Sequence, residues 1–332
     1  MSESIIKVNN LDVEFKTDAQ TIKALDKINL DVQKNEFICI MGISGCGKTT
    51  LLNAIAGFIE PNHGEILLRG NKIQGPGPDR AVVFQDDAVF PWMNVEDNVS
   101  YSHRVKNNYN DEQKKLVDKY INLVGLNDFR KAWPKQLSGG MRKRVDLARG
   151  YAAEPEVLLM DEPFGALDVM TKEKLQEELH KLWVNNPKTI IFITHDVEEA
   201  VFLGNKVVLM TPRPGKIDLV IEPNLKINRE MSIKSESMFF DHVRKIRSRP
   251  HLTQRELAKE LGFSLGKLNY CLKALKIKGF FKIKNFRKNP NKINYLYVLT
   301  PKGMTEKAKL TINFMKKKMV EYDELKKEME KR

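Results

Sequence analysis

Three short runs without a charged residue stand out in the first two thirds of the chain: FICIM at 37–41, VLLM at 157–160 and TIIFIT at 189–194. Apolar runs this short, bounded by polar turns, predict strands buried on both faces, as parallel sheets require. Just after the first run, LLNAIAGF has the spacing of a helix entered from a glycine-rich loop. Beyond residue 250 the pattern changes. Thr253 and Glu256 have capping-box spacing, and Leu257, Ala258 and Leu261 form an apolar stripe. After Gly262, Leu265, Leu268, Leu272 and Leu275 recur at helical spacing, which turns Lys267, Tyr270 and Lys273 outward. Gly279 stops that helix, and FFKIKNF and NYLYVLT then alternate as two antiparallel strands around the basic loop RKNPNK. A last stripe, Ala308, Ile312, Met315, Met319, Tyr322 and Met329, broken by Lys326, predicts a terminal dimerisation helix.

Each of the three strands ends in reactive groups. The first opens into Gly42-Ile43-Ser44-Gly45-Cys46-Gly47-Lys48-Thr49-Thr50. Glycine at 42, 45 and 47 lets the backbone wrap closely around a phosphate with its N–H groups inward. Lys48 then reaches β- and γ-phosphate oxygens, Thr49 is placed to ligate Mg²⁺, and the helix N-terminus adds favourable charge. The second strand ends in Asp161-Glu162, a pair in which one carboxylate can hold the ion and the other polarise water. The third ends in His195-Asp196. A histidine at the end of a third such strand points to chemistry more than to packing, and the other histidines have no such placement.

Composition separates the chain into two parts. Its 332 residues carry a net charge of +13, with 28 Lys+Arg against 32 Asp+Glu in 1–224 but 28 against 11 in 225–332. The basic excess of the last third implies a polyanionic partner, with a solvated basic face as the plainer alternative. No run is long enough for a bilayer helix, and the N-terminus has no signal-peptide pattern. Cys39, Cys46 and Cys271 are few and scattered, as expected of reduced thiols in the cytosol.

The motif series resembles the nucleotide-binding subunits of ABC transporters. It comprises GISGCGKTT, Gln85 in VVFQ, LSGG at 137–140, LLMDE, ALD ending at Asp168, and His195. GPGPDRAVVFQDDAVFPWMNVEDNV, DEPFGALD and THDVEEAVFL are similar to the importer subfamily for nitrate, sulfonates and taurine. That resemblance implies an α/β P-loop ATPase with a helical subdomain, arranged head to tail with a second copy of itself or with a homologous ATPase. ATP then lies between one phosphate loop and Ser138, Gly139 and Gly140 of the other copy. It further implies Glu162 as general base, Thr49, Gln85 and Asp161 on Mg²⁺, His195 on the γ-phosphate and Phe15 stacked on adenine. The partners it implies are a membrane permease, met around Gln85–Trp92, and through it a solute-binding protein, with the chain peripheral on the inner face of the cell membrane. Trp92 reads equally as core. Met141 departs from the glutamine usual in the family, and Val105–Lys115 reads as short and polar for the permease-facing helical part.

The C-terminal pattern is similar to MarR-type winged-helix regulators, which implies a small α+β domain with a recognition helix at 264–277 and a wing at 284–292. Ser264, Lys267, Tyr270, Lys273, Lys284, Arg287 and Lys288 are the DNA-facing candidates, with a protein–protein spacer as the alternative. The expected organisation is an ATPase at 1–222, a linker at 223–240, a winged helix-turn-helix at 241–302 and the terminal helix at 303–332. A soluble, ATP-responsive DNA-binding regulator without a transport role is the competing reading of the whole.

Overall fold

The computed structural model describes residues 4–16, 20–86, 88–165 and 167–247, and the backbone of two strands at 281–285 and 295–299. The first part of the chain runs β1 (Ser4–Lys16), β2 (Thr21–Gln33), β3 (Phe37–Met41), α1 (Lys48–Ala56), β4 (His63–Leu68), β5 (Asn71–Lys72) and β6 (Arg80–Val83). It continues through α2 (Val95–Val105), α3 (Asp111–Leu123), α4 (Gly139–Ala152), β7 (Val157–Asp161), α5 (Val169–Asn185) and β8 (Thr189–Thr194). Then come α6 (Val197–Leu203), β9 (Lys206–Met210), β10 (Ile217–Ile221) and α7 (Ser237–Arg247). The three apolar runs are therefore β3, β7 and β8, each buried along its whole length.

These strands lie in a six-stranded sheet of order β10-β9-β3-β8-β7-β6, parallel except for the edge strand β10. Alternation along the strands divides the core in two. Ile38, Ile40, Leu159, Ile191, Ile193 and Val208 face one cluster, shared with α1 and the antiparallel sheet β2-β1-β4-β5. Phe37, Cys39, Leu158, Met160, Ile190 and Phe192 face the other, which α4, α5, α6 and α7 cover. Side chains of opposite faces at successive positions are the period-two rule of a strand.

The register fixes what meets at the carboxyl edge. Met41 pairs with Thr194 and Asp161 with Ile193, so the chain leaves β3, β8 and β7 side by side. In such sheets ligands bind beyond the carboxyl ends of the strands. Helices α2, α3 and α4 form the helical subdomain, and Asn94 and Asn110 cap α2 and α3 through backbone N–H groups of the first turn. The polar stretch 105–115 is the turn between α2 and α3 together with the start of α3, which accounts for its composition.

The chain divides into two compact units, Met1–Ser248 and Arg249–Arg332. Residues 223–240, expected as a linker, belong to the first. Ile233 and the α7 residues Phe239, Val243 and Ile246 are buried in the helix-side core. Arg229, only 3% exposed, donates from Nη1 to the carbonyls of Val201 (3.3 Å), Phe202 (2.7 Å) and Gly204 (3.0 Å). The turn residues of this stretch hid a segment fastened by one buried cation. In the second unit β11 (Phe281–Asn285) and β12 (Tyr295–Leu299) pair antiparallel as expected. Lys284 lies on β11. The helices of 252–279, with Ser264, Lys267, Tyr270 and Lys273, the loop carrying Arg287 and Lys288, and the helix of 303–332 lie outside the described residues. No helix among the described residues is long and apolar enough to cross a membrane.

Candidate nucleotide site

The loop after β3 turns on glycines that no other residue could replace without movement. Gly47 has φ of +106°, and a Cβ there would meet Leu25 Cδ2 at 2.8 Å. A Cβ on Gly42 would lie 2.6 Å from Cys46 Sγ, so the two ends of the loop close against each other. Cys46 is itself buried, and Ile43 packs against the core. Ser44 and Gly45 are exposed at the crest. Lys48, 6% exposed, points its Nζ into the loop, at 2.8 Å from the Gly42 carbonyl and 3.2 Å from that of Ile43.

Across the sheet edge, Lys48 Nζ lies 4.0 Å from Glu162 Oε1, and Glu162 Oε2 lies 3.0 Å from His195 Nδ1. The Thr49 side chain lies beside Asp161. Burial pushes the Asp161 carboxyl above its ordinary range, against the pull of Thr49 and Lys48. The hydrogen bond from His195 holds Glu162 below its ordinary value, and Glu162 in turn raises His195. Glu162 has φ of +42°, a left-handed conformation costing an L residue about 1–3 kcal/mol. It is pinned there by its N–H on the Ile193 carbonyl (3.1 Å) and its carbonyl on the Gly165 N–H (3.0 Å).

Because each partner favours the charged form of the other, the Glu162–His195 ion pair is present between the ordinary carboxyl value of 4.5 and the ordinary imidazole value of 6.5, and is lost as pH rises through the raised imidazole value or falls through the lowered carboxyl value. The His195 imidazole is expected to titrate above 6.5 in the parent and to fall back in Glu162→Gln, followed by nitrogen-15 NMR. A parent midpoint at or below 6.5 rules the contact out in solution.

The structure thus gathers Lys48, Thr49, Asp161, Glu162 and His195. Phe15, on β1, lines a cleft of about 200 Å³ with Gly45, Gly47, Lys48, Thr49 and Thr50. Gln85 is exposed just beyond β6. Ser138 is the N-cap of α4, its Oγ accepting from the Met141 N–H (3.3 Å), while Gly139 and Gly140 form the first turn and leave N–H groups available to an anion. The Met141 side chain packs on the core, so the departure at this position leaves the cap intact. Asp168 caps α5 through the Thr171 N–H (3.0 Å) and is held below its ordinary pKa by Thr171. Trp92 is 67% exposed and stacks on Phe90 with centroids 5.5 Å apart, which settles it as surface.

Three residues escaped the sequence reading. Arg213 lines the cleft and donates to the Gly45 carbonyl at 3.3 Å. Behind His195, Lys172 of α5 reaches Asp196 (2.8 Å) and Glu199 (3.5 Å), and Glu199 also takes Gln176 (2.8 Å) and the Thr194 hydroxyl. Lys143 of α4 donates to the backbone around Gln85. Each acts on residues distant in sequence, so no local pattern announces it.

A family profile described as ABC transporter matches residues 25–165, and one described as winged helix-turn-helix DNA-binding matches 246–282. The chain is 46% identical over 241 residues to an uncharacterized ABC transporter ATP-binding protein of Methanocaldococcus jannaschii, covering 73% of this chain and 89% of that one. It is 42% identical over 256 residues to the taurine import ATP-binding protein of Rhizobium johnstonii, covering 75% and 98%. The counterpart from Roseobacter denitrificans is 46% identical over 213 residues, covering 64% and 80%. Among solved structures, a dimeric post-hydrolysis ATP-binding cassette bound to ADP and Pi matches with a TM-score of 0.57 at 29% identity, over 68% of this chain and all of that one. This chain is an ATPase that belongs to the ABC transporter ATP-binding proteins, and it carries a winged helix-turn-helix domain behind its cassette.

Proposed function

We propose that the chain is the ATP-hydrolysing subunit of an importer for a small solute of the nitrate, sulfonate or taurine class, and that its basic C-terminal domain binds duplex DNA. The observation that carries the first half is the convergence of Lys48, Thr49, Asp161, Glu162 and His195 on one sheet edge. Relatives named for taurine import support the solute class.

In this reading ATP lies on the loop from Gly42 to Thr50, with adenine on Phe15 and Lys48 exchanging the Gly42 and Ile43 carbonyls for phosphate oxygens. Mg²⁺ fits the residues present. Asp161 Oδ1 is buried without a hydrogen-bond partner among the described residues, beside the Thr49 hydroxyl. Hard oxygen donors are what this ion demands. Asp161, Thr49 and Gln85 would hold it, and when bound it neutralises charge on the phosphate oxygens. Glu162 accepts the proton of the attacking water, and His195 fixes that carboxylate and contacts the γ-phosphate. Ser138, Gly139 and Gly140 of a second copy complete the pocket, and loss of the γ-phosphate opens it again.

Exposed Trp92, stacked on Phe90 beyond Gln85, supports a permease docking there, with the chain on the inner face of the membrane. Affinity purification from its own cells is expected to bring down a polytopic membrane protein, and Trp92→Ala to weaken that capture. Recovery of the chain without any membrane partner favours the competing reading, a soluble ATP-responsive regulator, to which the charge of residues 225–332 lends support.

For the second domain, the winged-helix match and the MarR-like pattern support a recognition helix at 264–277 and a wing at 284–292. Duplex DNA affinity is expected to fall steeply with salt. Replacing Lys267, Lys273 and Arg287 together by Ala is expected to weaken it at every sequence tested, with a shallower salt slope. Unchanged affinity in that variant leaves the domain a spacer.

A further inference from the structure

The segment around Gln85 is fastened to the helix that begins with the signature residues. Lys143, buried on α4, donates from Nζ to the carbonyls of Phe84 (2.6 Å), Gln85 (3.0 Å) and Asp86 (3.3 Å). Six residues further along α4, Arg149 donates to the Ala88 carbonyl (2.8 Å) and lies over the Phe90 ring at 4.7 Å. Asp146, between them and also buried, takes Arg149 at 2.5 Å and has Lys143 at 3.9 Å. One buried ammonium on three successive carbonyls is a charge-assisted contact that leaves acceptors unsatisfied if it is broken. The same helix is capped by Ser138 and opens with Gly139 and Gly140.

We propose that Lys143, seconded by Asp146 and Arg149, is the positioning residue that couples the two nucleotides of a pair. It makes the Gln85 segment, which answers to the chain's own nucleotide, move as one piece with Ser138–Gly140, which the chain offers to its partner's. The inference rests on the head-to-tail reading above and adds the residues that transmit the signal. Lys143 touches neither nucleotide. Its effect is on whether filling one site prepares the other.

The test uses the full-length chain in the Glu162→Gln background. The ATP concentration that half-assembles the dimer is measured by light scattering, and ADP affinity is measured separately on the monomer. Adding Lys143→Met is expected to raise the assembly concentration by about tenfold or more while ADP affinity stays within about twofold. Assembly at the parental ATP concentration overturns the proposal. Should Lys143→Met not fold, Arg149→Gln is measured instead, with a smaller shift in the same direction expected and an unchanged threshold again decisive. Hydrogen exchange separates this from the head-to-tail reading. In the parent, ATP is expected to slow exchange in 84–90 and in the first turns of α4 together, and in Lys143→Met only in 84–90. If Glu162→Gln never dimerises, the head-to-tail reading falls. If parental exchange changes in 84–90 but not in α4, the coupling falls.

Discussion

Glu162→Gln is expected to lower ATP turnover by about 10²–10⁴-fold while leaving ATP bound, the range removed with a positioned general base. The substitution keeps the shape of the side chain and its place after β7, and it removes the carboxylate that faces Lys48 and His195. The backbone at this position is fixed by contacts of its own N–H and carbonyl, so the variant keeps the same geometry. Binding depends on the phosphate loop and on Lys48, whose bonds to the Gly42 and Ile43 carbonyls the change leaves in place. Steady-state phosphate release gives the turnover, and equilibrium binding of labelled ATP gives the affinity. A variant that hydrolyses within about twofold of the parent removes Glu162 from the chemistry, whatever its φ.

Arg229→Met is expected to cost about 2–4 kcal/mol of stability, the range for stranding buried acceptors of a charged donor. Burial draws the guanidinium down to about 10, so it is cationic at neutral pH. The Val201 and Phe202 carbonyls it binds belong to the last turn of α6, where a cation also meets the negative end of the helix. Methionine fills similar space but leaves the carbonyls of Val201, Phe202 and Gly204 without this donor. For the first unit that corresponds to a fall in Tm of roughly 5–15 °C, read by circular dichroism. Arg229→Lys, with donors on a shorter reach, is expected to fall between the two. A loss below about 0.5 kcal/mol in Arg229→Met shows the anchor to be dispensable and leaves the packing of Ile233 and Phe239 to hold the segment.

Much of the nucleotide site was legible because its signals are local. An unbroken apolar run, a glycine loop, a cap residue before a helix and a pair of carboxylates at a strand end all involve neighbours within one or two turns of chain. FICIM and TIIFIT coincide with β3 and β8 for that reason. Trp92 was undecided for the opposite reason. A single aromatic carries no information about what covers it, and only the packing around Phe90 places it on the surface.

By itself, then, the amino-acid order determined which stretches form strands and helices, where the glycine loop falls, and which reactive side chains stand at the strand ends. The tertiary structure decided which of them meet. Placing β8 between β3 and β7 brings His195 onto Glu162, burying Arg229 turns a presumed tether into core, and seating Lys143 ties Gln85 to the signature helix. Local conformation follows from sterics and hydrogen bonds between adjacent residues. Strand order and buried ion contacts join segments far apart along the chain, and their energy exists only once the sheet and its helices have closed around them.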